Sequence, residues 1–140
     1  MDDKKVIWIT GASSGIGRSL ALKFAEEGWV VAASARRENL LQELHNENAN
    51  IHSFPLDVTN AEQCKATFDD IIKKFENIEI CVFGTGIHDP KSEKSFNLDK
   101  IRKIMEVNYF GTMNSINSVY EYFNKKKKWA DIYHFFCCRL

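Results

Sequence analysis

Three glycines fall within the run Thr10-Gly11-Ala12-Ser13-Ser14-Gly15-Ile16-Gly17. Glycine lets backbone come within van der Waals distance of a ligand. A helix that opens at such a turn presents free N–H groups and the positive end of its dipole. Together these features suit a pyrophosphate, which makes Gly11, Ser13, Ser14, Gly15, Ile16 and Gly17 candidate cofactor-binding residues. The spacing is G-x-x-x-G-x-G, not the commoner G-x-G-x-x-G. A glycine-rich stretch is also what a tight connection looks like, so the flanks decide. Val6-Ile7-Trp8-Ile9 before it reads as a short buried strand, and Ile16, Leu20 and Phe24 after it read as an amphipathic helix. Strand, glycine turn and helix in that order make a dinucleotide site.

A dinucleotide site usually carries an acidic residue about 20 positions further on, where it holds the ribose 2′-hydroxyl. This chain has Ser34-Ala35-Arg36-Arg37 there. With no carboxylate and two planar guanidiniums, Arg36 and Arg37 suit a 2′-phosphate, and the Ser13 hydroxyl on the facing turn suits it too. The cofactor expected is therefore NADP, with NAD left open by the nearby Glu38. The plainer reading makes both arginines solvated residues that open a helix. Asp57-Val58 also stands at a strand end. Its carboxylate either accepts the adenine amino group or shapes the turn before a helix, a common use of Asp. Asn108 lies on the apolar stripe Ile101, Ile104, Met105, Thr112, Ile116, Val119, Tyr120 and Phe123. A buried amide must be hydrogen-bonded, so Asn108 is either a satisfied core group or a functional one.

The elements that must position these residues alternate regularly. Strands are predicted at Val6–Ile9, Trp29–Ala33, Ile51–Leu56 and Ile78–Phe83. Helices follow the glycine turn, span Glu38–Asn48, begin after an Asn60 cap, and run as one long helix from about Asn97 to Asn124. Such alternation implies an α/β fold, a doubly wound parallel sheet of about four to five strands with flanking helices, incomplete at its far side. The ligand then lies beyond the carboxyl ends of the strands, where every motif above falls.

The 140 residues suit one domain, and 44% hydrophobic with 27% charged residues suits an ordinary core. A net charge of zero argues against a nucleic-acid partner. No apolar run is long enough to span a membrane, and no signal peptide precedes the first strand. Four cysteines (Cys64, Cys81, Cys137, Cys138) form no C-x-x-C pair and have no His at metal spacing, so no metal site and a reducing, cytoplasmic setting are expected. Lys125–Lys128 reads as a cationic helix end.

The octet at 10–17, Asp57-Val58, and Val107-Asn108-Tyr109-Phe110-Gly111 within a long helix together resemble the short-chain dehydrogenase/reductase family, over residues 5 to about 128. The resemblance implies a Rossmann sheet and an NAD(P)-dependent oxidoreductase that moves a hydride between nicotinamide and a small-molecule carbonyl or alcohol. It further implies adenine contact at Asp57, and at Asn108 a backbone that organises a water linked to a catalytic Lys. The general acid/base would be a Tyr, its pKa lowered by that Lys, with a Ser polarising the substrate oxygen. A homo-oligomer is expected of the full-length parent. After the fourth strand the family usually has Asn-Asn-Ala-Gly, whereas this chain has Phe83-Gly84-Thr85-Gly86. Gly84, Thr85 and Gly86 remain candidate cofactor contacts, the last allowing close approach. Neither the Ser nor a Tyr-x-x-x-Lys in the right element is present. Tyr122 and Lys126 have the spacing, but on the Asn108 helix.

Residues 129–140 invite a second reading in a shifted frame. Read one nucleotide later, Trp129 followed by Ala130 forces Gly, while Phe135 and Phe136 each yield Ser or Phe. The shifted frame can spell Gly-Gln-Ile-Ser-Ile-Ile-Ser-Ser-Val-Ala-Gly, the family's next strand with its serines. The four preceding lysines imply an A-rich tract where a base is readily gained or lost. The expectation is a dinucleotide-binding portion at 1–128, an out-of-frame tail at 129–140, a chain without turnover, and exposed apolar surface with poor solubility. A non-catalytic nucleotide-binding or regulatory module is the alternative.

Overall fold

A computed structural model describes residues 4–90, 95–127 and 132–134, the last three as backbone only. The strands are β1 (Val6–Thr10), β2 (Val30–Ser34), β3 (Ile51–Ser53), β4 (Ile80–Phe83) and β5 (Ile132–His134). The helices are α1 (Gly15–Glu26), α2 (Glu38–Glu47), α3 (Ala61–Phe75), α4 (Leu98–Met105) and α5 (Gly111–Lys126), with a π-helical segment at Glu106–Phe110 joining the last two. All neighbouring strands pair in parallel, in the order β3-β2-β1-β4-β5. This is the doubly wound fold that the alternation of elements predicts. The chain winds outward from β1 to β3, then returns to lay β4 on the other side of β1. That reversal opens a crevice at the carboxyl ends of β1 and β4.

Every residue of β1 and β2 is buried, because helices cover both faces of the sheet. Alternate side chains feed two cores. Val6, Trp8, Val30 and Ala32 pack with Cys64, Phe68 and Ile71 of α3 and with Val119 and Phe123 of α5. Ile7, Ile9, Val31 and Ala33 pack with Ala21 and Ala25 of α1 and with Leu41 and Leu44 of α2. Trp8 is wholly buried, stands edge-on to Phe83 at 5.6 Å, and donates its indole N–H to Ser34 Oγ at 2.9 Å.

Element ends depart from the predicted ones for local reasons. β3 stops at Ser53, not Leu56, because Pro55 has no N–H for the ladder, although the amides of Phe54 and Leu56 still reach the carbonyls of Ala33 and Ala35. Trp29 stays outside β2 because its amide closes the end of α1 on the Phe24 carbonyl. β4 begins at Ile80, not Ile78. The long helix is one rod, but its middle turn is π-helical, so a single 3.6-residue period does not describe it. Ile101, Met105 and Tyr120, expected on the buried stripe, are 42%, 47% and 47% exposed, while Thr112, Val119 and Phe123 are buried. Asn60 caps α3 as expected, its side chain accepting from the Gln63 amide at 2.9 Å.

Candidate functional site

The glycine turn is built as its residue types require. Gly11 has φ +72°, and a Cβ there would lie 2.5 Å from the Gly84 carbonyl oxygen. Gly15 has φ +58°. A Cβ on Gly17 would collide with the backbone of Gly11. Ser14 is the extended N-cap of α1, and its hydroxyl makes no capping bond. The first intrahelical acceptor, the Ser14 carbonyl, takes the Arg18 amide at 3.3 Å, so helix geometry leaves the Gly15, Ile16 and Gly17 N–H groups without a carbonyl of their own. Those amides sit at the positive end of α1 and can hold an anion.

Around this turn lies a cleft of about 330 Å³. Gly11, Ser13, Ser14, Gly15 and Gly17 form one wall, Arg36 and Arg37 the end of β2, Asp57 and Val58 the turn after β3, and Gly84, Thr85 and Gly86 the exit of β4. All twelve are among the residues singled out from the sequence. Ile16 is not on the lining, and its side chain is half exposed. Its amide, not its side chain, is what the turn offers. The lining also includes Ala35, Leu56, Ile87, His88 and Val107. Each adjoins a recognised motif residue in sequence or, like His88, continues the run past Gly86. That adjacency was the available signal.

Arg37 precedes the first turn of α2 and donates from Nη2 to Ser13 Oγ at 3.3 Å. The pairing joins the guanidinium after β2 to the Ser13 hydroxyl of the turn after β1. Asp57 uses one carboxylate oxygen, Oδ1, to accept from the Thr59 amide at 3.0 Å and the Thr59 hydroxyl at 2.7 Å. The Thr59 hydroxyl bond holds the Asp57 carboxyl below the usual carboxylate range, aided by the Thr59 amide and the Arg36 charge and opposed by partial burial. Asp57 therefore shapes its turn and lines the cleft as an anion; the two readings are compatible.

Asn108 sits in the π-helical segment, a feature that often marks functional positions. Its side chain does not line the cleft. It grips Ile87, which does, accepting from the Ile87 amide at 2.7 Å and donating to the Ile87 carbonyl at 2.9 Å. Its own carbonyl accepts from Thr112 Oγ1 at 2.9 Å. Asn108 is half-buried, and its amide has the specific partner that its position on the stripe demands. Tyr122 and Lys126 do meet, with Lys126 Nζ 2.6 Å from the Tyr122 hydroxyl. They bind Asn77 and Ile78 before β4, at the opposite end of that strand from the cleft. Among the described residues no cluster of His, Cys, Asp or Glu could hold a metal ion, and no helix is long and apolar enough to cross a membrane.

A family model described as short chain dehydrogenase matches residues 5–133. The chain belongs to this family. Among similar dehydrogenases, human dehydrogenase/reductase SDR family member 7 is 32% identical over 131 residues, covering 88% of this chain and 39% of its own. A Dictyostelium discoideum SDR family protein 7-like dehydrogenase/reductase is 35% identical over 129 residues, covering 84% of this chain and 41% of its own. Of solved structures, ElxO with NADP bound superposes with a TM-score of 0.79 at 27% identity, over 88% of this chain and 52% of that one. The ligand-free aldohexose dehydrogenase of Thermoplasma acidophilum gives 0.74 at 31% identity, over 87% and 45%. The chain thus spans about two-fifths of the length of these curated dehydrogenases, 39% and 41%. The part it spans is the glycine turn, the Asp57 turn and the Asn108 helix.

Proposed function

We propose that this chain is the cofactor-holding part of an NADP-dependent oxidoreductase acting on a small carbonyl or alcohol. The observation that carries the reading is the Arg37–Ser13 pairing beside Arg36, at a strand end where Ser34 and Ala35 stand in place of a carboxylate. The residues fit the group: the glycine cradle excludes any Cβ, and the first-turn amides of α1 suit a pyrophosphate. Bound nicotinamide dinucleotide supplies the hydride donor or acceptor. Gly11–Gly17 hold the pyrophosphate, Arg36, Arg37 and Ser13 hold the 2′-phosphate, and Asp57 with Val58 meets the adenine edge. Gly84, Thr85 and Gly86 lie along the remaining wall. Asn108 fixes Ile87 and, as the family resemblance implies, contributes through its backbone to the proton path. Support for the ligand comes from ElxO, solved with NADP bound.

The proton-transfer Ser and Tyr-x-x-x-Lys are assigned to the whole protein, and the chain as written is expected to bind cofactor without turning substrate over. The out-of-frame reading of 129–140 is tested directly on the coding DNA. The shifted frame must continue into Tyr-x-x-x-Lys shortly after the serines, and a stop or an unrelated sequence there rejects it. The cytoplasmic placement rests on Cys64 and Cys81, which are free and buried. Titration of NADPH and NADH by ligand fluorescence tests the cofactor. NADPH should bind at least about tenfold more tightly, the worth of one or two charge-assisted hydrogen bonds, and Arg37→Ala should abolish the preference. Equal affinity for both, in the parent chain, would defeat the NADP assignment.

A further inference from the structure

The wall of the cleft formed by Val58 is held from behind by α5, through a residue that belongs to no motif. Asn114 donates from Nδ2 to the Val58 carbonyl at 2.9 Å. Cys64, on α3, directs its thiol at the same carbonyl, with Sγ at 3.6 Å. Burial pushes that thiol up to about 11, so it keeps the proton with which it donates. Gly111 lets the two segments close together: a Cβ there would stand 2.5 Å from Val58 Cγ2. One turn further back on the same rod, Asn108 brackets Ile87 on the other wall.

A carbonyl that accepts from a side-chain amide is fixed in direction, and fixing it fixes the peptide plane between Val58 and Thr59. The Thr59 amide is one of two groups that hold Asp57 Oδ1, the other being the Thr59 hydroxyl at 2.7 Å. The chain of contacts therefore runs from Asn114 through the Val58 carbonyl and the Thr59 amide to the Asp57 carboxylate on the cleft. The π-helical turn matters here, because it sets the phase between Asn108 and Asn114 and allows one rod to grip both walls.

We infer that Asn114 is a positioning residue for adenine recognition: by orienting the Val58 carbonyl it sets the Asp57 carboxylate at the adenine edge of the cofactor. The inference rests on the cofactor reading above. A merely structural Asn114 would weaken all ligands alike, whereas a positioning Asn114 changes discrimination at the adenine 6-amino group. The test compares NADPH with its hypoxanthine analogue, whose 6-position carries an oxo group, by fluorescence titration of the full 140-residue chain. The parent should prefer NADPH by about tenfold, the worth of a hydrogen bond to a charged acceptor. Asn114→Leu, branched at Cγ like asparagine but without a donor, should bring that ratio close to one with a melting temperature within about 4 °C of the parent. Asn114→Gln, which restores an amide donor, should recover most of the ratio. An unchanged ratio in Asn114→Leu overturns the inference, even if both ligands bind more weakly. A parent that binds NADPH without discriminating overturns it while leaving the cofactor reading intact. A parent that binds neither ligand defeats the cofactor reading itself, before any variant is made.

Discussion

At Gly11 two constraints coincide: a backbone at φ +72° and the Gly84 carbonyl 2.5 Å from where a Cβ would stand. Neither can relax alone, since the clashing atom is backbone of the strand exit beside it. Gly11→Ala should destabilise the fold by about 2–4 kcal/mol, the sum of a left-handed alanine and an overpacked contact. Gly86 lies on the same cleft, yet its nearest neighbour to an added Cβ is Asn108 Oδ1 at 3.6 Å, an ordinary contact. Gly86→Ala should therefore change stability by less than about 1 kcal/mol. Urea unfolding of the two variants side by side separates glycine as fold requirement from glycine as mere space, and equal losses would contradict the geometry. The same contrast explains what could be read from the residues alone. The glycine octet was legible because only backbone freedom and helix amides account for that spacing. Asn108 was legible as an amide on the apolar stripe in need of a partner, but Ile87 as that partner was not, because nothing local ties a helix residue to a loop 21 positions earlier. Asn114 was invisible for the same reason: its acceptor is a carbonyl 56 residues away.

Between β3, α2 and α3 a small cluster of bases ties three elements together at the edge of the sheet. His52 on β3 accepts from Lys74 Nζ of α3 through Nδ1 at 3.3 Å, so its ring is neutral there. Its ring also lies 5.0 Å from that of Phe75, tilted at 57°, and 6.0 Å from the His45 ring of α2. Partial burial lowers its pKa below 6.5, and the charges of Lys74, His45 and Lys4 lower it further. In that window the unfolded chain binds more protons than the folded one, so stability is lost as pH falls below 6.5 and levels off beneath the folded value. Urea midpoints should thus drop between pH 7.5 and 5.5, about the range in which histidine titrates, and His52→Gln should flatten that dependence. An identical slope in the variant would remove His52 from the account. At the opposite end of α3, Asn60→Ala should cost about 1 kcal/mol through loss of the bond to the Gln63 amide, readable as a lower melting temperature. At this scale the sequence spoke clearly about which elements exist and poorly about where they turn. Asn60 announced the start of α3. Pro55 shortened β3 by withholding an amide, and the π-helical segment at Glu106–Phe110 broke the period on which the buried stripe was drawn.

The molecule as a whole closes two cores but leaves one rod half clothed. α5 buries Val119 and Phe123 against the sheet, while Ile101, Met105, Tyr109, Phe110 and Met113 are each between 40% and 49% exposed. Five large apolar groups on consecutive turns of one continuous helix exceed the scattered exposure that is normal on a soluble surface. Apolar area removed from water is worth about 25 cal/mol per Å², so covering even part of this face favours association over monomeric solution. The face is also distinct from the cleft, whose lining from this rod is Val107 alone. Association and cofactor binding should for that reason be separable. Sedimentation velocity of the chain should show a weight-average mass that climbs with concentration. Replacing Tyr109 and Met113 together by lysine should lower that climb without moving the melting temperature, since both side chains already stand half in water. The double variant should still bind NADPH as the parent does. A chain that sediments as a monomer at all concentrations would show that this exposure is too dispersed to drive contact. Loss of NADPH binding in the double variant would instead mean that the outer face and the cleft are coupled through the π-helical turn, whose single phase shift serves both sides of the rod.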